Sequence, residues 1–194
     1  MPFFWLQLFT VALWLSWIAI YWDGGARVVS DIWQSAKAGT SRFDTLLLII
    51  IALMSPLLPA TGIMVTVGLL NVEQAWSLTL IGAWFALLGM AGTFYCRHGL
   101  GRFWTAELKL QVSHQIVDNG PYSIARHPIY TSVSVMHLGT AIVFPLWWNW
   151  LACALVIVAY AFKARVEDEY MAANLPGYQA YRQRVRFRLL PGVW

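Results

Sequence analysis

Between two apolar runs lies a polar stretch, His114–Tyr130 (HQIVDNGPYSIARHPIY), that concentrates groups able to handle a charged ligand. Asn119-Gly120-Pro121-Tyr122 has turn chemistry. Glycine permits unusual dihedrals and lets a ligand approach its amide, and proline fixes the next φ. Arg126-His127-Pro128 then sets a cation and an imidazole just ahead of a helix-starting proline. Pro128 biases His127 toward extended geometry, which would aim its ring and the neighbouring amides over the helix start. Free amides at such a start favour a carboxylate. Tyr130 follows two residues into the helix. The same residues would also make a capped interfacial turn with a snorkelling arginine, and residue types alone leave both readings open.

A second cluster, Lys163–Glu169 (KARVEDE), follows the last apolar run. Lys163 and Glu167 are four apart, as are Arg165 and Glu169, so each pair can meet on a helix face. A self-paired solvated helix is one reading. The other has a carboxylate facing the His114–Tyr130 turn and holding an ammonium group. Three consecutive acids, Glu167, Asp168 and Glu169, in a chain with only 9 favour the second. The expectation is that the two clusters meet at a membrane surface and hold a cofactor.

Other chemistries find less support. No GxGxxG follows a strand and no GxxxxGK[ST] loop occurs; Gly99-x-Gly101 is an isolated pair. His98, His114, His127 and His137 lack a compact ligand spacing, so no metal site is expected. His137, inside an apolar run, reads as a helix–helix hydrogen bonder rather than a haem ligand. Cys96 and Cys153 suggest neither a disulfide framework nor a thiolate metal site.

The elements that must position these clusters are apolar helices. Of 194 residues, 59% are hydrophobic, 11% are charged and 12 are tryptophan, whereas soluble domains run near ~25% charged. The chain belongs in a bilayer. Its net charge of +4 is too dispersed among apolar spans for nucleic acid. Phe3–Trp22 is long enough to span, lacks the marks of a cleaved signal peptide, and ends in Tyr21 and Trp22 as interfacial anchors. Asp23–Asp44 is a polar loop with an interfacial helix around Val28–Ala38, its Trp33 toward the membrane. Thr45–Leu70 is one span kinked around Ser55, Pro56 and Pro59. Ala75–Tyr95 is a third, with small residues for close packing within or between monomers. Ile129–Phe144 is a short fourth that needs tilt or thinning. Leu151–Phe162 returns as the fifth, with an amphipathic helix over Ala164–Ala180 outside the bilayer, broken near Pro176-Gly177. The tail, Tyr181–Trp194, alternates Arg182, Arg184, Arg186 and Arg188, which suits an extended surface segment near anionic headgroups.

The predicted fold class is therefore all-α: a polytopic membrane protein of about five transmembrane helices with a cytosolic C-terminal cofactor-binding segment. With the N-terminus outside, all 13 lysines and arginines fall on the inner side, as the positive-inside rule requires. That places the C-terminus and both polar clusters in the cytoplasm, the membrane being an inner membrane of bacterial type.

These residues carry a resemblance. The pattern H-x-I-V-x-x-G-P-Y-x-x-x-R-H-P-x-Y, followed by an acidic pair and an L-P-G-Y-x-x-Y ending, resembles the isoprenylcysteine carboxyl methyltransferase family of integral membrane methyltransferases. It covers roughly residues 101–194. Related branches include phospholipid N-methyltransferases and thiol methyltransferases, and sterol reductases share a similar C-terminal half. The resemblance implies S-adenosylmethionine as methyl donor, bound at the cytosolic ends of the last helices. It implies donor-site roles for His114, for Gly120, Pro121 and Tyr122, for Arg126, His127, Pro128 and Tyr130, and for the acidic pair Glu167 and Asp168. Lys163 stands where the family commonly has arginine, which gives up the bidentate fork. Asp168 stands where it commonly has glutamate, one methylene longer.

The physical logic runs alongside. Amides of the His127 turn would take the donor carboxylate and Glu167 its ammonium. Tyr122 and Tyr130 would flank the adenine or the sulfonium. Arg126 or Arg165 would orient an acceptor carboxylate. Residues 1–95 would form a three-helix part shaping an acceptor portal and residues 96–194 the methyltransferase core, in one membrane domain. The expected function is methyl transfer to a lipophilic acceptor, foremost the carboxylate of an isoprenylcysteine-like substrate. The alternatives are a phospholipid amine or small thiol acceptor, a membrane reductase of the sterol-reductase branch, and a non-catalytic binding or transport module.

Overall fold

A computed structural model describes residues 2–20, 42–104, 110 and 114–192. The expected interfacial helix over 28–38, and Tyr21 and Trp22, lie outside them. The described elements are α-helical with short 3₁₀ turns, and among the described residues no strand forms beyond one isolated bridge. Among the described residues three stretches are long and apolar enough to cross a membrane: Phe43–Thr66, Trp76–Phe103 and Trp147–Asn174. Two shorter apolar helices, Phe4–Ala19 and Pro128–Val143, pack with them.

Helix α1 is Pro2–Ile20. Helices α2 (Arg42–Met54) and α3 (Leu57–Thr66) form the kinked pair. The break falls at Ser55-Pro56, where proline has no N–H to donate. Pro59 sits in the first turn of α3, where a missing N–H costs little. Helix α2 starts three residues before the expected Thr45, which brings Asp44 into its first turn. Helix α4 is Trp76–Leu100, ending five residues later than expected, with Arg97 and His98 in its last turn opposite the helix dipole. Helix α5 is Pro128–Val143, opened by its proline as expected.

Helix α6 corrects the sequence reading. It is one helix, Trp147–Asn174, of 28 residues, where a span ending near Phe162 and a separate amphipathic helix were expected. Nothing between Trp147 and Asn174 is glycine or proline, and two ion pairs one turn apart sustain its polar end: Lys163–Glu167 at 3.2 Å and Arg165–Glu169 at 3.1 Å. At 1.5 Å per residue it is about 42 Å long, so its last turns emerge from a core about 30 Å thick. Gly177, at φ 84°, turns the chain into α7, Tyr178–Arg184. The tail is therefore helical up to Arg184 and extended only beyond it, where Phe187 bridges to Ala125.

Helices α4 and α5 make the closest contact. A Cβ on Gly89 would fall on the backbone of Met136, and one on Gly139 on the backbone of Ala86. The small residues of the third span thus serve packing inside the monomer. Helix α1 joins through Trp14 Nε1, which donates to Thr140 Oγ1 at 2.8 Å. His137 is buried, paired with Val133 O at 2.8 Å and with Ser55 Oγ at 3.0 Å, the helix–helix role expected of it. Cys96 and Cys153 are free thiols on α4 and α6.

Candidate functional site

The polar end of α6, the start of α5 and the C-terminal tail converge. Asp168, fully buried, is where they join. Its carboxylate accepts from Arg126 Nε and Nη2 at 3.0 and 2.6 Å, from Tyr178 Oη at 2.8 Å and from Arg188 Nε at 2.8 Å, and it meets His127 Nε2 at 3.0 Å. Four side chains from three parts of the chain thus saturate one carboxylate. Arg126 is equally committed. Its Nη1 donates to Val185 O at 2.5 Å and Arg186 O at 2.9 Å.

Its neighbour Glu167, about 100° round the helix, has a different environment. Its Oε1 accepts from Tyr130 Oη at 2.6 Å and lies 3.2 Å from Lys163 Nζ, while Oε2 lies 3.4 Å from His127 Nδ1. Its side chain keeps 16% exposure. Lys163 reaches back to Asp44 Oδ1 at 3.0 Å, and Asp44 Oδ2 is buried without a hydrogen-bond partner among the described residues. The Tyr130 ring stacks on His127 at 5.7 Å and on Tyr160 at 4.8 Å. His127 is therefore clamped between two carboxylates. Burial alone disfavours its imidazolium, but the hydrogen bonds and charges of Asp168 and Glu167 outweigh that and raise its pKa.

Glu167, His127 and Tyr130 border a cavity of about 110 Å³. Tyr122, Tyr178 and Tyr181 add aromatic walls, His114 and Trp104 close another side, and Leu100, Ile129, Met171 and Leu175 make the rest apolar. The Gly120–Ser123 turn carries Tyr122 into place, with Gly120 at φ 53°, a value glycine tolerates best. Tyr122 Oη donates to Cys96 O at 3.2 Å, and Tyr181 Oη donates to Tyr122 O at 2.7 Å. Burial raises the pKa of Tyr122 and of Tyr178, where the Asp168 charge adds to it.

Of the residues singled out in the sequence, His114, Tyr122, Arg126, His127, Tyr130 and Glu167 come together around this cavity. Gly120 shapes the turn. Asp168 lies behind the wall, engaged wholly by the protein. Arg165 stands apart: its side chain is 61% exposed and pairs with Glu169, so it is not brought to the cavity. The expected free amides of the His127 turn are occupied, because Arg126 N donates to Phe187 O at 3.0 Å and His127 N to Arg188 O at 2.8 Å. Backbone of the tail takes the place foreseen for a ligand carboxylate. Sequence reasoning gave no site role to Asp44, Tyr178, Tyr181 or Arg188. Asp44 had no local signal. The two tyrosines stood in the L-P-G-Y-x-x-Y ending and could have been weighed there.

Fold and site together define a polytopic helical membrane protein with an aromatic-walled, charge-lined cavity at one end of its bundle. A family model described as phospholipid methyltransferase matches residues 75–176, over half of the chain, and the chain belongs to that family of integral membrane methyltransferases. The match takes in α4 as well as the α5–α6 core and stops before α7. Among curated proteins, the chain is similar to the nickel-cobalt-cadmium resistance protein NccN of Alcaligenes xylosoxydans xylosoxydans. The two are 30% identical over 123 residues, covering 62% of this chain and 56% of that protein. It is also similar to the cobalt-zinc-cadmium resistance protein CzcN of Cupriavidus metallidurans, 28% identical over the same shares of each chain. The chain thus spans about half the length of the curated relatives it matches.

Proposed function

We propose that this protein transfers a methyl group from S-adenosylmethionine to a lipophilic acceptor in the membrane. One observation carries the reading: a partly exposed carboxylate, Glu167, held by Tyr130, Lys163 and His127, opens on a tyrosine-walled cavity beside the apolar helices. The cavity is smaller than the few hundred cubic ångströms usual for a whole small-molecule pocket. Its donor set suits the amino-acid end of the donor: an anion for an ammonium, and tyrosine faces for a cationic sulfur. When bound, S-adenosylmethionine supplies an electrophilic methyl on a sulfonium.

The chain's own groups do the rest. Glu167 accepts the ammonium, and Lys163 and His127 keep its carboxylate ionised and oriented. Tyr122, Tyr178 and Tyr181 fix the cavity walls. Leu100, Ile129, Met171 and Leu175 exclude water, and methyl transfer asks chiefly for positioning and a dry site. Asp168 and Arg126 hold the tail across the cavity and act as positioning residues. The acceptor approaches from the bilayer beside α5.

The acceptor proposed first is the carboxylate of an isoprenylcysteine-like substrate, which needs no general base. The family description favours a second, a phospholipid amine. A role in metal tolerance, the trait for which both relatives are named, would follow from altered membrane lipids. The N-terminus is proposed to lie outside an inner membrane of bacterial type, with the cavity facing the cytoplasm. The test is purified protein in nanodiscs with donor labelled in the methyl group, offered prenylcysteine analogues, isoprenyl thiols and phosphatidylethanolamine. Label in one acceptor class, abolished by Glu167→Gln, is the expected result. Donor binding with no transfer to any class would replace the enzyme with a binding module, and absence of donor binding would remove the reading.

A further inference from the structure

The alternating arginines of the tail are not used by the cavity described above. Alternation predicts four side chains on one face of an extended strand, but the fold sorts them otherwise. Arg182 lies in the last turn of α7. The backbone leaves the helix at Val185, with φ −102° and ψ 92°, and runs extended past Ala125, which Phe187 bridges. In an extended segment, residues two apart share a face, so Arg186 and Arg188 point together and Phe187 points away. Arg184 turns outward and pairs with Asp118. The result is a cleft of about 500 Å³ lined by Arg126, Arg182, Gln183, Arg186 and Arg188.

Among the described residues no carboxylate lines this cleft. Its floor is preorganised, because Asp168 holds Arg126 at 2.6 Å and Arg188 at 2.8 Å from behind. Among the described residues Arg182 and Arg186 form no ion pair. Four guanidinium groups thus converge on this cleft, two of them tied to one buried carboxylate. Their forked donors match phosphate oxygens in pairs. Sulfonium or ammonium ligands are repelled here, which separates the cleft in chemistry from the Glu167 cavity, although Arg126 lines both.

We propose that the cleft between α7 and the extended tail is a binding site for a phosphate-bearing anion, gripped by Arg182 and Arg186 and seated on Arg126 and Arg188. The phosphate belongs either to an anionic lipid headgroup or to a soluble phosphate compound. The cleft's position beyond the emerging end of α6 admits both. The proposal stands independently of what the Glu167 cavity binds.

The experiment is thermal unfolding of the full chain in neutral detergent at fixed ionic strength, titrated with pyrophosphate in one arm and with short-chain phosphatidic acid in the other. Phosphatidylcholine is the control. The wild-type midpoint should rise in at least one anionic arm, and the arm that responds names the source. Arg182→Gln with Arg186→Gln should weaken the apparent affinity roughly tenfold or more, as expected for lost hydrogen bonds to a charged group. Arg186→Gln alone, an exposed position, guards against misfolding of the double variant and should show a smaller loss. Arg184→Gln should respond as wild type. Equal responses in all four proteins would overturn the proposal, because they would mean general screening. So would the absence of a rise in both anionic arms.

Discussion

Tyr130 and Glu167, 37 residues apart in sequence, are joined by a 2.6 Å hydrogen bond from phenol to carboxylate. The bond ties the start of α5 to the polar end of α6 and fixes which face of Glu167 is left for a ligand. Glu167→Gln keeps the shape and removes the charge. Donor affinity, read by calorimetry on the detergent-solubilised protein, should fall roughly tenfold to a hundredfold, the worth of a hydrogen bond to a charged group. Tyr130→Phe should cost less, since Lys163 still orients the carboxylate. Equal affinity in wild type and Glu167→Gln would remove Glu167 from the donor site.

Asp168 is expected to behave differently. It is saturated by Arg126, His127, Tyr178 and Arg188, so its substitution strands buried cations. Asp168→Asn should destabilise the fold by about 3–5 kcal/mol, the usual cost of breaking a buried pair by removing one partner. Denaturation in detergent measures this. A variant of wild-type stability that loses only donor binding would make Asp168 a ligand-contacting residue instead.

His127 gives a pH dependence whose sign follows from its raised pKa. The folded state favours the imidazolium, clamped by Asp168 and Glu167. Its stabilisation is therefore complete below the unfolded value of about 6.5 and is lost as pH climbs through the higher folded value. The stability gap between wild type and His127→Gln should narrow as pH is raised from acidic to alkaline. A gap that widens in that direction would show His127 neutral in the fold.

Lys163 bridges Asp44 and Glu167 while nearly buried. Lys163→Met should be more damaging than the double variant Lys163→Met with Asp44→Asn, because the single change leaves two buried carboxylates facing each other without their cation. The coupling is read from a double-mutant cycle on the unfolding midpoint. Additive losses would mean that the pair does not act as a unit.

How much of this was readable beforehand varies by element. The apolar helices were, because composition and length specify membrane spans with little help from context. The kink near Pro56 is legible for a similar reason: a missing N–H is a local fact. The continuity of α6 is not legible, because a change from apolar to charged residues reads as a boundary. Helix hydrogen bonds are indifferent to that change when no glycine or proline intervenes. His114, Tyr122, Arg126, His127, Tyr130 and Glu167 were legible as chemistry from their types and from a resemblance.

The sequence by itself determined that the chain is membrane-embedded and helical, and that its polar groups gather in two clusters. Only the tertiary structure decided their division of labour. Neighbours in sequence on a helix point about 100° apart, so Glu167 opens on a cavity while Asp168 is sealed behind it. The amides expected to hold a ligand were taken by Phe187 and Arg188, and Asp44 entered from 119 residues away to hold Lys163. Long-range partners of this kind leave no local pattern, because what selects them is the cost of burying a charge without one.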